Sequence, residues 1–353
     1  MQNKKLLLVA AFFAPVATMF GGRCCEIKKG CTDPLHVLAS SPAHRFEVYG
    51  SALALKPSTS NLHYAIETTQ PSENATCRKV DEIHPSYHFG FDLGFKTIFH
   101  NEHTNLMVNY EHINARSSSK GHVSGEDYVS PIFQSGYNDS DFKKAHASVR
   151  FHFDEVNLDY GQLLSIGNHV CANIFGGVSF MRLKQNLCHV FTSEDQSIER
   201  STSIATRFIG AGPQGGIEAR YCLYKGLTLE GKGVSALLIG RMKDAAEYER
   251  EVSEVETTQN IKVCARTQVV PAFLGKLGLS YEFEFCSDYV GRVAVGYQAQ
   301  EYLNAIQSVE ISDEPIAIAS GFMRRQGPSN VAFQRTLSNF ALSGAYVTLE
   351  VGF

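Results

Sequence analysis

The chain has 353 residues, and its formal net charge of −4 is too small to indicate a nucleic-acid partner. Hydrophobic residues make up 44% of the sequence, which contains 29 Gly, 23 Phe and 15 Tyr but no Trp. Beyond the N-terminus no run of about 18 uninterrupted apolar residues occurs, which excludes a transmembrane helix. If the protein lies in a membrane, it must cross it as a β-barrel.

The N-terminus has the pattern of a secretory signal peptide. Lys4 and Lys5 precede a short apolar run from Leu6 to Phe13, which is followed by small residues up to Gly22. We therefore expect a signal peptide over 1–22, a periplasmic segment over 23–44 and a folded unit over 45–353. A buried N-terminal helix is the alternative.

After the N-terminal segment, apolar and polar residues alternate with a period of two. This pattern is typical of strands whose two faces meet different surroundings. The clearest alternating segments are 87–96, 145–154 and 273–285, and weaker ones cover 45–56, 104–115, 169–183, 204–222, 226–243, 291–305 and 340–353. After Asp154 the apolar phase shifts by one residue, to Val156, Leu158 and Tyr160, and this shift predicts a β-bulge.

The connections between these ten predicted strands alternate in length. Long polar connections cover 57–85, 116–143, 184–203, 244–265 and 306–339, and short ones cover 100–103, 161–167, 223–225 and 286–290. Bacterial outer-membrane barrels have long external loops, short periplasmic turns and an even strand number. The sequence thus predicts an all-β, antiparallel transmembrane barrel of about ten strands, with twelve as an alternative. A soluble β-sandwich does not explain the alternation.

The C-terminus carries an independent mark of such a barrel. Val347, Leu349 and Val351 share one face of the last segment, which ends on the aromatic Phe353. Outer-membrane barrels commonly end this way, so we interpret Phe353 as the assembly signal that the barrel-assembly machinery reads.

A GxGxxG pattern occurs at 210–215. A dinucleotide site would need this turn to open a helix, but Pro213 interrupts it and an alternating segment follows. We interpret it as a glycine bulge in a strand and expect no cofactor and no metal.

On the inferred register, charges of both signs face the lumen, as in a hydrated passage or a lumen closed by ion pairs. The predicted lumen-lining residues are Asp92, Lys96, Glu111, Arg150, Arg207, Glu230, Lys232, Lys276, Glu282, Arg292 and Glu350. Ten strands leave a narrow interior, since about eight are just filled by side chains.

Nine cysteines in an exported chain favour disulfides over a metal cluster, and the odd number leaves at least one for another molecule. Cys24, Cys25, Cys31, Cys171, Cys222 and Cys286 are expected at the periplasmic rim or in the N-terminal segment, and Cys77, Cys188 and Cys264 in external loops.

Many modest matches in order, from Arg45 to Phe353, resemble the Legionella-type major outer membrane protein family. They include 156–162, 175–178, 183–187, 210–213, 236–240, 269–271, 276–279, 296–297 and 302–305. The absence of Trp and the N-terminal cysteines depart from the family pattern. The resemblance implies an abundant outer-membrane protein with porin-type activity, a cysteine-rich, disulfide-linked envelope and no catalytic residues.

We therefore expect a bacterial outer-membrane porin through which small hydrophilic solutes diffuse passively. Its expected partners are outer-membrane lipid, the barrel-assembly machinery and disulfide-linked envelope proteins or a second copy. The first alternative is a structural or adhesive surface barrel with a closed lumen. A more distant one is a barrel protease that uses His112 or His152 with Asp154.

Overall fold

The computed structural model describes residues 45–72, 75–99, 104–124, 127–132, 142–166, 170–194, 198–224, 226–252, 255–286, 289–313 and 331–353. They form thirteen strands: β1 Arg45–Thr59, β2 His63–Ser72, β3 Ala75–Glu82, β4 His88–Ile98, β5 Thr104–His122, β6 Tyr128–Pro131, β7 Phe142–Ile166, β8 Val170–Ser193, β9 Ile198–Tyr224, β10 Leu227–Val252, β11 Val255–Cys286, β12 Tyr289–Asp313 and β13 Val331–Gly352. Within these ranges no helix is long and apolar enough to cross a membrane. The predicted signal peptide and the segment 23–44 lie outside the described residues.

Ten of these strands close into an antiparallel barrel with the order β1-β13-β12-β11-β10-β9-β8-β7-β5-β4. Strand β1 closes the ring, because it pairs with β13 on one side and with β4 on the other. The backbones of Phe46 and Phe353 exchange two hydrogen bonds of 2.9 Å, so both ends of the described chain lie at one rim. In outer-membrane barrels this rim is the periplasmic one. The all-β class agrees with the prediction.

The remaining strands form a small second sheet in the order β3-β2-β6. It lies in segments that the sequence pattern assigned to loops, 57–85 and 116–143. Tyr64 and Val129 of this sheet, and Leu62 and Ile83 next to its strands, are buried in the same cluster as residues of the outer part of the barrel. The loop assignment was wrong here because these short strands are stabilised by contacts with the barrel rather than by a regular pattern of their own.

The barrel strands extend further outward than predicted. The β8–β9 hairpin continues to Ser193 and Ile198, and the β10–β11 hairpin continues to Val252 and Val255. The predicted loops 184–203 and 244–265 are therefore mostly strand. On β8, polar residues of this extension alternate with the inward-facing Leu187 and Phe191, and this second pattern was hidden by the high overall polarity.

Two predicted bulges are absent from the described strands. The register of β7 with β5 and with β8 runs without a shift past Asp154. The pairing of β8 with β9 is equally regular through Gly210–Gly215. At Gly210 an added Cβ would lie 2.5 Å from the ring of Phe208, so glycine there leaves room for an inward aromatic side chain rather than for a bulge.

Candidate functional site: the barrel interior

The outward face of the barrel divides into two zones. Towards the periplasmic rim it is apolar, with exposed Phe89 (71%), Leu277 (62%) and Phe273 (52%). Further out the same face turns polar, beginning on β7 to β10 at Asp154, Arg182, Arg207 and Arg241. We call the first zone the belt and the second the outer half. The belt is the part of the strands with the character of a membrane-crossing segment.

Inside the belt, an ion pair and a charged hydrogen bond join strands across the lumen. Lys276 on β11 lies 3.4 Å from Asp92 on β4, with three strands between them in the ring. The amide of Gln300 on β12 donates to Glu111 on β5 at 2.7 Å. Both signs therefore neutralise one another within the lumen instead of forming a ring of one charge.

A second group of charged side chains in the lumen lies closer to the periplasmic rim. Arg292 donates to Glu350 and lies 3.8 Å from Glu230. Lys96 lies 3.1 Å from Glu47 on the neighbouring strand β1. Two cavities remain between these groups, of about 90 and 40 Å³. A cavity needs about 10–15 Å³ of free volume to hold one water, so these two cavities hold only a handful of waters.

Above the charged layer, side chains from opposite sides of the ring meet directly. Strands β7 and β12 are separated by four strands in either direction, yet the Tyr302 hydroxyl donates to Glu155 at 3.0 Å. The ring of Phe153 lies 5.4 Å from that of Tyr302 and 6.0 Å from that of Phe340. The ring of Phe151 lies 5.4 Å from that of Phe340 in a tilted arrangement. These five side chains, which we call the plug, are buried.

In the outer half, a polar contact spans the interior of the barrel. The amide of Asn61, between β1 and β2, donates to Gln185 at 2.9 Å and to Ser308 at 3.1 Å. It thereby joins β8 and β12 across the interior. Next to it, Tyr64 of the second sheet lies 6.1 Å from the imidazole of His189. Burial in the outer half lowers the pKa of His189 to about 4, so its side chain is neutral at neutral pH.

Most predicted lumen residues face inward. Asp92, Lys96 and Glu111 are buried, and Glu230, Lys232, Lys276, Glu282, Arg292 and Glu350 are half-buried on the inward face. Arg150 and Arg207 are corrections, because both are exposed on the outward face. The prediction assumed that polar residues face inward along the whole strand, whereas in the outer half the apolar neighbours Phe151 and Phe208 do so.

The plug was not predicted, because polar residues were assumed to face inward along the whole strand. Its signal was the phase shift at Asp154, which we attributed to a bulge. A phase shift without a bulge means that the two environments exchange faces. With that reading, Phe151, Phe153 and Glu155 follow as inward residues.

The three residues of the protease alternative are brought together, but on the outward face. His112 Nδ1 lies 2.8 Å from one oxygen of Asp154, and His152 Nε2 lies 3.1 Å from the other. The Tyr110 hydroxyl also donates to Asp154, at 2.9 Å. His112, His152 and Asp154 are half-buried, and each could supply one metal-binding atom.

The cysteines are divided between the two ends of the barrel. Cys77 lies on β3, Cys188 and Cys264 lie in the outer half, and all three are free thiols. Cys171 lies near the periplasmic end of β8, and Cys222, near the end of β9, is in a disulfide. Cys24, Cys25, Cys31 and the side chain of Cys286 lie outside the described part of the chain.

A closed antiparallel barrel with an apolar outward belt, a charged interior and both chain ends at one rim defines an outer-membrane β-barrel protein. The sequence model of the family described as Legionella pneumophila major outer membrane protein precursor matches residues 39–353. The chain belongs to this family, and it is a protein of the bacterial outer membrane. No curated protein matches the sequence.

The chain also aligns with solved outer-membrane proteins, at very low sequence identity and low TM-scores. The outer membrane protease OmpT from Escherichia coli is 8% identical with a TM-score of 0.41, over 89% of this chain and 99% of that one. The Pseudomonas putida toluene transporter TodX is 8% identical with a TM-score of 0.29, over 91% and 92%. The Yersinia pestis protein Ail is 12% identical with a TM-score of 0.22, over 69% and 100%.

Proposed function

We propose that this barrel keeps its lumen closed and serves as a structural or adhesive protein of the cell surface. The observation that carries the proposal is the plug, in which Tyr302 reaches Glu155 on the opposite side of the ring. A solute passing through would have to break this contact and the aromatic packing of Phe153 and Phe340. Burial of aromatic side chains is among the larger stabilising contributions in a protein core.

The shape of the outer half supports a role at the surface. On β8, Arg182 to Ser193 extend beyond the belt, a distance of roughly 30 Å for tilted strands. This extension has a polar exterior, and its interior combines apolar side chains such as Leu187 and Phe191 with hydrogen-bonded polar ones such as Gln185. It would hold the five outer connections of the barrel well away from the lipid, where host or neighbour molecules can contact them.

Conductance in a planar bilayer tests the closed lumen. We expect the refolded wild-type protein to give no steady conductance, and the variant Tyr302→Ala/Phe340→Ala to conduct because it removes two rings from the plug. A matched control is Phe180→Ala/Phe273→Ala, which removes two aromatic rings from the lipid-facing side and should stay closed. Steady wild-type conductance equal to that of the plug variant would overturn the proposal.

Passive diffusion of small hydrophilic solutes is the second candidate. It is favoured by the inward charges of both signs around the cavities in the belt, such as Asp92, Lys232 and Lys276. A porin role would require the plug to move aside. In the bilayer experiment it predicts a wild-type conductance that falls when Lys276→Gln alters the charged layer.

A contribution to a disulfide-linked envelope is a further part of the proposal. It is supported by the three free thiols in the outer part of the chain, Cys77, Cys188 and Cys264, of which Cys77 and Cys264 are exposed. Non-reducing gels of envelopes with thiols alkylated at lysis should show bands above the monomer that are lost in the variant Cys77→Ser/Cys264→Ser. A single monomer band in the wild type would argue against cross-linking.

The proposed role is not enzymatic. The cluster of His112, His152 and Asp154 lies outside the barrel, where its carboxylate oxygens already accept hydrogen bonds. A peptide-cleavage assay tests this directly, since cleavage that is lost in Asp154→Asn would favour the protease alternative.

A further inference from the structure

Five basic side chains lie together on the outward face of β8, β9 and β10. They are Arg182, Lys184, Arg207, Arg241 and Lys243, and we call them the basic patch. In the upper row Lys184, Arg207 and Lys243 are direct cross-strand partners. In the lower row Arg182 and Arg241 flank Ile209, which pairs with both. Neighbouring strands are about 4.8 Å apart, so the positive charges are closely spaced.

None of the five basic side chains is paired with an acid among the described residues. No ion pair among the described residues includes any of the five side chains, and Arg182 Nε is buried without a hydrogen-bond acceptor. The nearest acid is Asp154, which is the cross-strand partner of Arg182 and so extends the lower row onto β7. Its oxygens are already engaged by His112, His152 and Tyr110.

Like charges directly opposite one another destabilise a sheet. An anionic partner from outside the chain would therefore stabilise three cations in one row. The multidentate, rigid donors of Arg are well suited to phosphate groups.

The position of the basic patch indicates which class of phosphate compound would bind there. Directly below it, the next row of cross-strand partners contains the exposed apolar residues Phe180, Ile239 and Val269. Four residues of the basic patch and two of the apolar row line one groove of 720 Å³. They are Arg182, Arg207, Arg241 and Lys243 with Phe180 and Ile239, and Asp154, Val156 and Ile209 line it too. The groove thus offers cations at the level of lipid headgroups and an apolar wall at the level of acyl chains.

We propose that the basic patch binds the phosphate groups of a phosphorylated glycolipid in the outer leaflet, whose acyl chains lie along the apolar row below. The charge of the patch complements the phosphates, and the groove is continuous with the belt that contacts lipid. The glycolipid supplies the missing counter-charge and so stabilises the outer half at its junction with the membrane.

Binding of bisphosphorylated lipid A to the refolded full chain in zwitterionic detergent tests the proposal. The variant Arg182→Gln/Arg207→Gln/Arg241→Gln should bind at least tenfold more weakly than the wild type. The matched control is Arg116→Gln/Lys144→Gln/Arg150→Gln, which removes three exposed outward charges higher on β5 and β7 and should bind as the wild type does. Without glycolipid, the patch variant should melt no lower than the wild type, because it loses only repulsion.

Two further measurements distinguish the source of the phosphate. Dephosphorylated lipid A should bind the wild type at least tenfold more weakly than the phosphorylated form. Inorganic phosphate at the same concentration should not displace the glycolipid, because it cannot use the apolar row. Equal binding by the patch variant, no preference for phosphorylated lipid, or displacement by inorganic phosphate would each overturn the proposal.

Discussion

In the belt, β7 turns Val156, Leu158 and Tyr160 outwards and Glu155 inwards, whereas in the outer half the same strand turns Arg150 outwards and Phe151 inwards. The backbone register does not change between the two regions. What changes is the medium on each side. The belt has lipid outside and a charged layer inside, and the outer half has water outside and an apolar core inside.

The comparison shows that one continuous sheet can serve as a membrane barrel and as a soluble barrel in succession. Each half satisfies the same rule, namely that apolar side chains avoid water. The plug lies where the two halves meet, since Glu155 belongs to the charged layer and Phe153 to the apolar core. The contacts across the lumen therefore lie where the medium changes.

The largest effect is expected from Phe153→Ala in the plug. Phe153 is fully buried between Tyr302 and Phe340, and removing such a ring costs about 3–5 kcal/mol. The free energy of unfolding in detergent, measured by denaturant titration, should fall by that amount. In the control Phe273→Ala, whose ring faces lipid, the loss should be about 2 kcal/mol. Equal losses would mean that the outer core is loosely packed.

The second variant pair places the same charge on the outward face of each half. Leu277→Arg in the belt should cost about 2–4 kcal/mol, because the charge faces hydrocarbon. Leu337→Arg lies on the outward face of β13 in the outer half and should cost no more than about 0.5 kcal/mol. Folding yield and unfolding free energy in liposomes measure both. Similar costs would remove the distinction between the two media.

This distinction also explains what the sequence could and could not predict. Alternation at 87–96 and 273–285 located strands that lie in the belt, because there the apolar face meets lipid. The same rule misplaced Arg150 and Arg207, because it carried the belt's orientation into the outer half. The contacts of Asn61 with Gln185 and Ser308 join residues 124 and 247 positions apart, and no local pattern encodes such contacts.

Asn61→Ala tests the polar closure of the outer half. Its side chain accepts from Thr59 and Gln185 and donates to Gln185 and Ser308, so truncation leaves buried amide atoms of Gln185 without partners. We expect a loss of about 1–3 kcal/mol in the free energy of unfolding. Ser60→Ala, at the exposed neighbouring position, is the control and should change it by less than about 0.5 kcal/mol. No effect of Asn61→Ala would mean that water replaces the amide and that the outer mouth is open.

The smallest change in stability, with a separate effect on assembly, is expected for Phe353→Ala at the periplasmic rim. The ring of Phe353 is half exposed and lies 6.1 Å from that of Phe46, which also stacks on Phe95 at 5.6 Å. Losing one such aromatic pair costs about 0.5–1.5 kcal/mol, and the two backbone hydrogen bonds between residues 46 and 353 remain.

Phe95→Ala removes the other ring from the same contact and is the matched control. Both variants should show similar unfolding free energies after refolding in detergent. In cells, only Phe353→Ala should lower the fraction of folded, heat-modifiable protein, because the terminal aromatic residue would be read during insertion, whereas Phe95 contributes packing alone. An equal drop for both variants would reduce the role of Phe353 to rim packing, and no drop for either would mean that the terminal aromatic residue is not the assembly signal.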